Sequence, residues 1–433
     1  MKRPDAFALT GMTLLLACEH SMTAKDLLND SLTLTLALDE SHPATILASG
    51  ANGAGNCSIV WTPGGQPEKT TVPAVEGGAL SAVLVGSPAS TEVTARMQCD
   101  GEHGPEATVT TGDLPPGLLA PTVLSPLSDS IDEDYFLTSG TYQTHGSVTM
   151  SDIDGNVVWW EDLDGSSMTA AHFDAETGIV YGVDGDGLAL MRLAGPTVVF
   201  PAKDAHHDAL SLGDGKYLVS QSVSNADGTV VGDNLSIVDT SDGSVTVVWD
   251  AFDQLEQVEN DGWQFTPADW THVNTLSRDE STGKIYASLY WDHSIVQIDP
   301  VTWQTDWVMG GVQSDFSVDV PFGPQHSFVR NGESCWMFDN GSDVTAGSHL
   351  SEYSVSDPVG DSEGTATLNW TWTTDPPGFD VVLGSVQTTD DAILASWGDT
   401  ATIRILSPDR EILAEYGPEI GGQTGYASFV QLD

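Results

Sequence analysis

Basic residues are scarce in this chain. Its 433 residues include 13 Lys and Arg against 63 Asp and Glu, a formal net charge of −50. Phosphate recognition depends on Lys and Arg, so this balance excludes nucleic acid and anionic membrane surfaces as electrostatic partners. It suits an exported protein in a medium whose salt screens self-repulsion. The sequence also lacks an apolar run long enough to cross a bilayer as a helix. No complete D-x-[DN]-x-[DN]-G loop with its distal Glu is present, so the carboxylates read as a solvated surface rather than as calcium ligands. Cysteines number 4, and no H-x-x-x-H pair exists to suggest a local metal site. Hydrophobic residues make up 40% of the chain, enough for packed cores, and its length allows two domains.

The amino terminus reads as a targeting segment. Lys2 and Arg3 precede a short apolar run, Ala6 to Ala17. The run ends Leu15-Leu16-Ala17-Cys18, which resembles the lipobox of bacterial lipoprotein signal peptides. That resemblance implies a signal peptide over residues 1–18, cleavage before Cys18 and lipidation of its thiol. With Glu19 rather than Asp following, it implies the outer membrane, on the periplasmic face or the cell surface. Residues 19–30 form a tether.

Residues 31–112 alternate in the manner of strands: Leu32-Thr33-Leu34-Thr35-Leu36, Ser58-Ile59-Val60-Trp61, Ala82-Val83-Leu84-Val85 and Glu92 to Gln98, separated by Gly, Pro and Asn. This predicts a small immunoglobulin-like or fibronectin-like β-sandwich. Cys57 and Cys99 fall in two of its strands and are expected to bond, bridging the two sheets, since an exported protein permits disulfides. Residues 113–130, with Pro115-Pro116-Gly117, read as a linker.

Residues 131–433 are all β and quasi-periodic. Units begin at Phe136, His172, His206-His207, His272, Gln325-His326 and Gly384-Ser385. One runs from Asp269 through strands Lys284–Leu289 and Ser294–Ile298 to a third strand carrying Trp303 and Trp307. Repeats of this size with about four strands each predict a six-bladed β-propeller. The terminal stretch Ala427 to Gln431 is expected to return and complete the first blade. The fold class is therefore all-β: a sandwich followed by a six-bladed propeller.

Inner strands of a propeller converge on one axis, so His207, His272 and His326 are expected to meet in one funnel. Three imidazoles there would ligate a metal, act as nucleophile and general acid/base, or hydrogen-bond the backbone at the blade mouths. Catalysis outranks metal, because no carboxylate or cysteine accompanies the histidines in a ligand spacing. No metal or other cofactor is expected. His172 is a marginal member of the ring. His20, His42, His103, His145, His293 and His349 read as surface residues, and Cys335 as a buried structural thiol.

In this order, His206-His207-Asp208, Asp269-Trp270-Thr271-His272-Val273-Asn274, Gln325-His326, Phe338-Asp339-Asn340-Gly341 and Gly384-Ser385-Val386-Gln387 resemble the bacterial arylsulfotransferase family. The resemblance implies transfer of a sulfuryl group from a phenolic sulfate ester to another phenol, independent of a nucleotide sulfate donor. It implies His326 as the transiently sulfurylated nucleophile, with His272 and His207 or His206 holding sulfate oxygens and shuttling protons. Tyr290, Asn274 and Gln325 are expected at the substrate. Tyr290, in Ser288-Leu289-Tyr290, stands where the family carries an arginine. A neutral phenol replaces a planar cation there, so either the substrate differs, activity is reduced, or the site only binds. The alternative reading is accordingly a non-catalytic, surface-anchored propeller that binds an aromatic or sulfated ligand or a protein partner. The expected partner is a small phenolic or sulfated molecule, with membrane contact only through the lipid anchor.

Overall fold

The computed structural model describes residues 32–51, 56–118, 120–142, 145–163, 167–185, 187–257, 259, 267–342, 345–374, 377–418 and 422–432. The expectations for residues 1–30, Cys18 and His20 lie outside the described residues.

The first unit is a sandwich of two antiparallel sheets. One contains Thr33–Leu38, Ile46–Ala51, Ala79–Leu84 and Ala74–Glu76; the other contains Lys69–Thr71, Cys57–Thr62, Glu92–Cys99, Glu102–His103 and Ala107–Thr110. Alternation sends one set of side chains inward: Ile46, Ala48 and Leu84 meet Ile59, Trp61, Val93 and Ala95. Cys57 and Cys99 are bonded, but not between the sheets as expected. They are directly opposite one another on neighbouring strands of the same sheet, so the bond clamps the two central strands together at one end.

The remainder is a β-propeller. Six sheets follow one another, antiparallel except for the short strands Ala268–Asp269 and Phe316–Val318, which pair parallel with Val230–Asp239 and Gly364–Trp372, and each packs its two faces against its neighbours. Six separate hydrophobic clusters fill the six gaps between consecutive sheets. Leu218 and Trp249 of one sheet meet Ala287 and Val296 of the next, for example. Such strands are buried on both faces, which is why Ile285–Leu289, Ser294–Ile298, Ile393–Trp397 and Thr402–Leu406 are buried throughout and do not alternate.

The ring closes through the carboxy terminus. Gln423–Val430 pairs with Tyr135–Tyr142 and becomes the inner strand of the first sheet. A second closure comes from the stretch read as linker. Pro121–Ser125 is a strand that adds to the outer edge of the last sheet by pairing with Ile412–Pro418. Trp303 lies in a turn with φ 57°, not in the strand Thr305–Gly310 that carries Trp307. His42, read as a surface residue, is buried where the sandwich meets the propeller: its ring nitrogens reach the carbonyls of Trp160 and Gly195 at 3.1 and 3.0 Å.

At the centre, Tyr426 of the closing strand reaches across to another sheet. Its hydroxyl donates to the Asn274 carbonyl at 2.8 Å and contacts Thr275 Oγ1. Thr275 Oγ1 in turn accepts from the Ser327 amide at 2.8 Å. Burial raises the Tyr426 pKa well above the ordinary phenol value, so it remains a donor. Tyr426→Phe removes this link and leaves buried polar groups short of a partner. It is expected to lower stability by about 1–3 kcal/mol in urea unfolding; an unchanged midpoint and slope would contradict the placement.

Candidate active site

Three consecutive sheets supply histidines from the beginnings of their inner strands. In each, the ladder slips: between His206 and Ala209, between Val273 and Thr275, and between His326 and Phe328. One non-glycine residue at or beside each slip is left-handed: His207 at φ 58° and Ser327 at φ 59° lie within theirs, and His272 at φ 56° immediately precedes its own. That conformation costs an L-residue about 1–2 kcal/mol. Its recurrence at the starts of three inner strands re-aims side chains that strand alternation would send elsewhere.

The result is a cluster of four imidazoles. Ring centroids of His207 and His272 are 4.6 Å apart, those of His207 and His326 6.5 Å, and those of His206 and His272 6.1 Å. His326 lies deepest at 3% exposure, while the His272 side chain is 31% exposed and opens the cluster to solvent.

Hydrogen bonds assign a role to each ring. His326 Nδ1 lies 2.7 Å from Asn340 Oδ1. The Asn340 amide nitrogen donates to the carbonyls of Asp380 and Leu383 at 2.9 and 3.0 Å, which fixes its oxygen toward the ring. His326 therefore carries its proton on Nδ1, and Nε2 keeps a lone pair. The Leu383 amide points at that nitrogen from 3.3 Å. Burial, opposed by the Asn340 bond and aided by the nearby His272, lowers the His326 pKa to about 3. The ring is neutral in any ordinary buffer.

His206 is the opposite case. Its Nε2 lies 2.7 Å from Asp233 Oδ1. Burial disfavours the cation, but the Asp233 charge and hydrogen bond outweigh it, and the pKa is raised above 6.5. Asp233 is itself buried and held by the Thr271 hydroxyl at 2.5 Å and the Val273 amide at 2.8 Å. The other His206 nitrogen, Nδ1, sits 2.8 Å from Nδ1 of His207. Burial and the neighbouring His272, His206 and His326 push the His207 pKa well below 6.5, so His207 is neutral and accepts at Nδ1. Its own proton is then on Nε2. His272 donates from Nδ1 to Asp269 Oδ2 at 2.7 Å.

The other expected site residues take different places. Asn274 and Gln325 are buried behind the histidines. Asn274 donates to the Gln325 carbonyl at 2.7 Å, and the Gln325 amide nitrogen to Ser288 Oγ and to the carbonyls of Leu289 and Ser294. Their side chains join neighbouring sheets. Tyr290 packs its ring 5.0 Å from that of His326 and forms a wall of the site. Its hydroxyl is not available as expected: it donates to the Val381 carbonyl at 2.6 Å. Burial, with Asp399 nearby, pushes its pKa up to about 12. His172 stands outside the cluster, its Nε2 held 2.6 Å from buried Asp208.

Sequence reasoning missed Asn340, Asp233 and the Leu383 amide. Asn340 lay in plain view in Phe338-Asp339-Asn340-Gly341. Asp233 sits in an ordinary strand with no local signal. Arg278 and Arg330 are engaged with Glu280 and Asp357. Among the described residues no group of His, Cys, Asp or Glu is arranged to hold a metal.

Fold and site together define a β-propeller protein with a polarised histidine cluster at one end of its inner strands. The arylsulfotransferase (ASST) family model matches residues 123–354, and the chain belongs to that family. A search of the curated proteins found no match. Among solved structures the chain is similar to TolB from Acinetobacter baumannii, at 9% identity over 79% of this chain and 80% of that one, with a TM-score of 0.43. It is similar also to the Myceliophteria thermophila Cps50 (Swd1) beta-propeller domain, at 10% identity over 68% and 89%, TM-score 0.42. A third is a streptogramin B lyase, at 10% identity over 71% and 97%, TM-score 0.40.

Nitrogen-resolved NMR of the histidine rings tests the protonation pattern. At pH 5, His326 is expected to keep Nε2 unprotonated, while at pH 6.5 His206 is more than half protonated at both nitrogens. Asp233→Asn should move the His206 titration to lower pH. A His326 ring that titrates near 6.5 would overturn the assignment.

Proposed function

We propose that this protein transfers a sulfuryl group from a phenolic sulfate ester to a phenolic acceptor through a covalent intermediate on His326 Nε2. The observation that carries the reading is the state of that ring: proton fixed on Nδ1 by Asn340, pKa depressed to about 3, lone pair on Nε2. A neutral, oriented imidazole is a competent nucleophile. In the first half-reaction the Nε2 lone pair forms a bond to sulfur and the sulfur–phenolic oxygen bond breaks. The departing phenolate takes a proton from His207 Nε2, and His207 Nδ1 recovers one from protonated His206. In the second half the acceptor phenol returns that proton to an imidazole, its oxygen bonds to sulfur, and the N–S bond breaks with its electrons returning to Nε2.

A sulfuryl group carries negative oxygens, and this chain lacks the family arginine. Positive charge comes instead from His206, whose protonated form Asp233 favours and which donates from Nδ1 to His207. Donors come from His207 Nε2–H and from the Leu383 amide, 3.3 Å from Nε2, placed for a sulfuryl oxygen once sulfur is bound. Tyr290 serves indirectly. Through Val381 it tethers the segment that presents Leu383, which Asn340 also holds. Gly384 makes the turn possible, with φ 103° and the Phe338 ring where a Cβ would stand.

The absence of a guanidinium favours one rival, a propeller that binds an aromatic or sulfated ligand without turnover. We further propose that the chain is exported and anchored through lipid on Cys18. The apolar amino-terminal run supports this, as does the Cys57–Cys99 bond, which belongs in an oxidising compartment.

A chromogenic aryl sulfate with a phenol acceptor separates the readings. Acceptor-dependent phenol release is expected, with His326→Ala lower by about 10³-fold or more. On the donor kcat/KM, the acid limb should lie far below 6.5, because His326 rejects protons until about pH 3. The alkaline limb should follow His206, whose charge is lost as pH rises through its elevated pKa. No turnover with several donors would leave binding as the better account.

A further inference from the structure

Lys and Arg are so few in this chain that the placement of each is informative. Among the described residues, every Lys and Arg has a described carboxylate within 4.0 Å except Lys69 and Arg192. These two lie far apart in sequence, one in the sandwich and one in the propeller. Both line the same cavity, of about 620 Å³, where the two units meet. That volume suits a small organic molecule, and junctions between domains are common places for such sites.

The cavity is built for a ligand with an apolar body. Trp61 and Val85 line it from the sandwich unit, Phe173 and Leu193 from the propeller, and Leu432 from just after the closing strand. Lys69 is fixed rather than mobile: its ammonium contacts the Tyr135 hydroxyl and lies 4.6 Å from the centre of that ring. Burial disfavours its charge, with Asp134 and Asp152 acting weakly the other way, and its pKa is lowered. A half-buried cation without a close counter-ion carries an unrecovered desolvation cost, which an incoming anion would offset. Arg192 is exposed at the cavity, and among the described residues no acid lies within ion-pair distance of it, which leaves its planar fork open to a carboxylate or sulfonate. Asp134 is the one acid in the lining beside Lys69 and Arg192, so the lining itself is net positive on a molecule of net charge −50, although Asp152 also acts on Lys69 and Asp132, Glu133, Asp390 and Asp391 line the adjoining hollow past Phe173. Anions are repelled from most of this surface.

We infer that the cavity between sandwich and propeller is a second binding site, separate from the histidine cluster, for a small organic anion with an aromatic or aliphatic body. Arg192 and Lys69 receive its anionic group and Trp61 and Phe173 pack its apolar part.

The probes are 8-anilinonaphthalene-1-sulfonate and N-phenyl-1-naphthylamine, which share a ring system and differ by the sulfonate. Fluorescence titration of the full chain should show saturable, one-site binding of the sulfonate. Arg192→Gln, an exposed position that leaves folding intact, should weaken it about tenfold or more, while the neutral probe changes less than twofold. Lys69→Met should act in the same direction. His326→Ala should leave the sulfonate affinity unchanged, which separates this site from the histidine cluster whether or not that cluster is catalytic. Equal binding of the sulfonate by wild type and Arg192→Gln overturns the proposal. So does loss of binding in His326→Ala, or equal weakening of both probes.

Discussion

The structure depends on the closure of a ring. Each sheet of the propeller buries both faces against neighbours, so no sheet is stable alone, and the last gap must be filled by strands remote in sequence. Gln423–Val430 supplies the inner strand of the first sheet, and Pro121–Ser125 extends the last one. Because the closing strand is an inner strand, it also reaches the centre. Tyr426 ties it to Asn274 and Thr275, and Thr275 holds Ser327, the left-handed residue beside His326. Closure of the fold and the backbone shape of the site are thus one network.

Buried carboxylates and one amide decide what the histidines are. Asp233 keeps His206 charged, Asp208 holds His172 outside the cluster, and Asn340 holds His326 neutral. Four imidazoles in one pocket would otherwise compete for protons on similar terms. Their partners separate them into a cation, two neutral rings of fixed tautomer and one solvent-facing ring on Asp269. In a chain with so few basic residues, this is how positive charge reaches the pocket. An imidazolium delivers it, backed by a buried acid of its own sheet.

Much of this was legible in the sequence. Gly, Asp and Pro punctuation marked the strands, and Ser294–Ile298 lies where the residues predicted it. The recurrence of histidine at unit starts located the cluster, because a propeller brings equivalent positions to one axis. What was not legible was side-chain direction. Asn274 and Gln325 flank the histidines in sequence, yet ladder slips turn them backward into the joins between sheets. Tyr290 was expected to face the ligand with its hydroxyl, but a carbonyl 91 residues away takes that donor. Asp233 belongs to a strand whose sequence advertises nothing; its role exists only through contact with His206. The direction of the Cys57–Cys99 bond likewise needed strand order, which spacing alone does not supply.

The central claim is a covalent step at one nitrogen, and its most direct test is isolation of that adduct. The full chain is mixed with an aryl sulfate in the absence of acceptor, quenched rapidly in alkali, and its peptides are weighed. The account predicts one added sulfuryl group on the peptide containing His326, lost when a phenol is added before the quench. Turnover with no adduct, or an adduct on another residue, would contradict it.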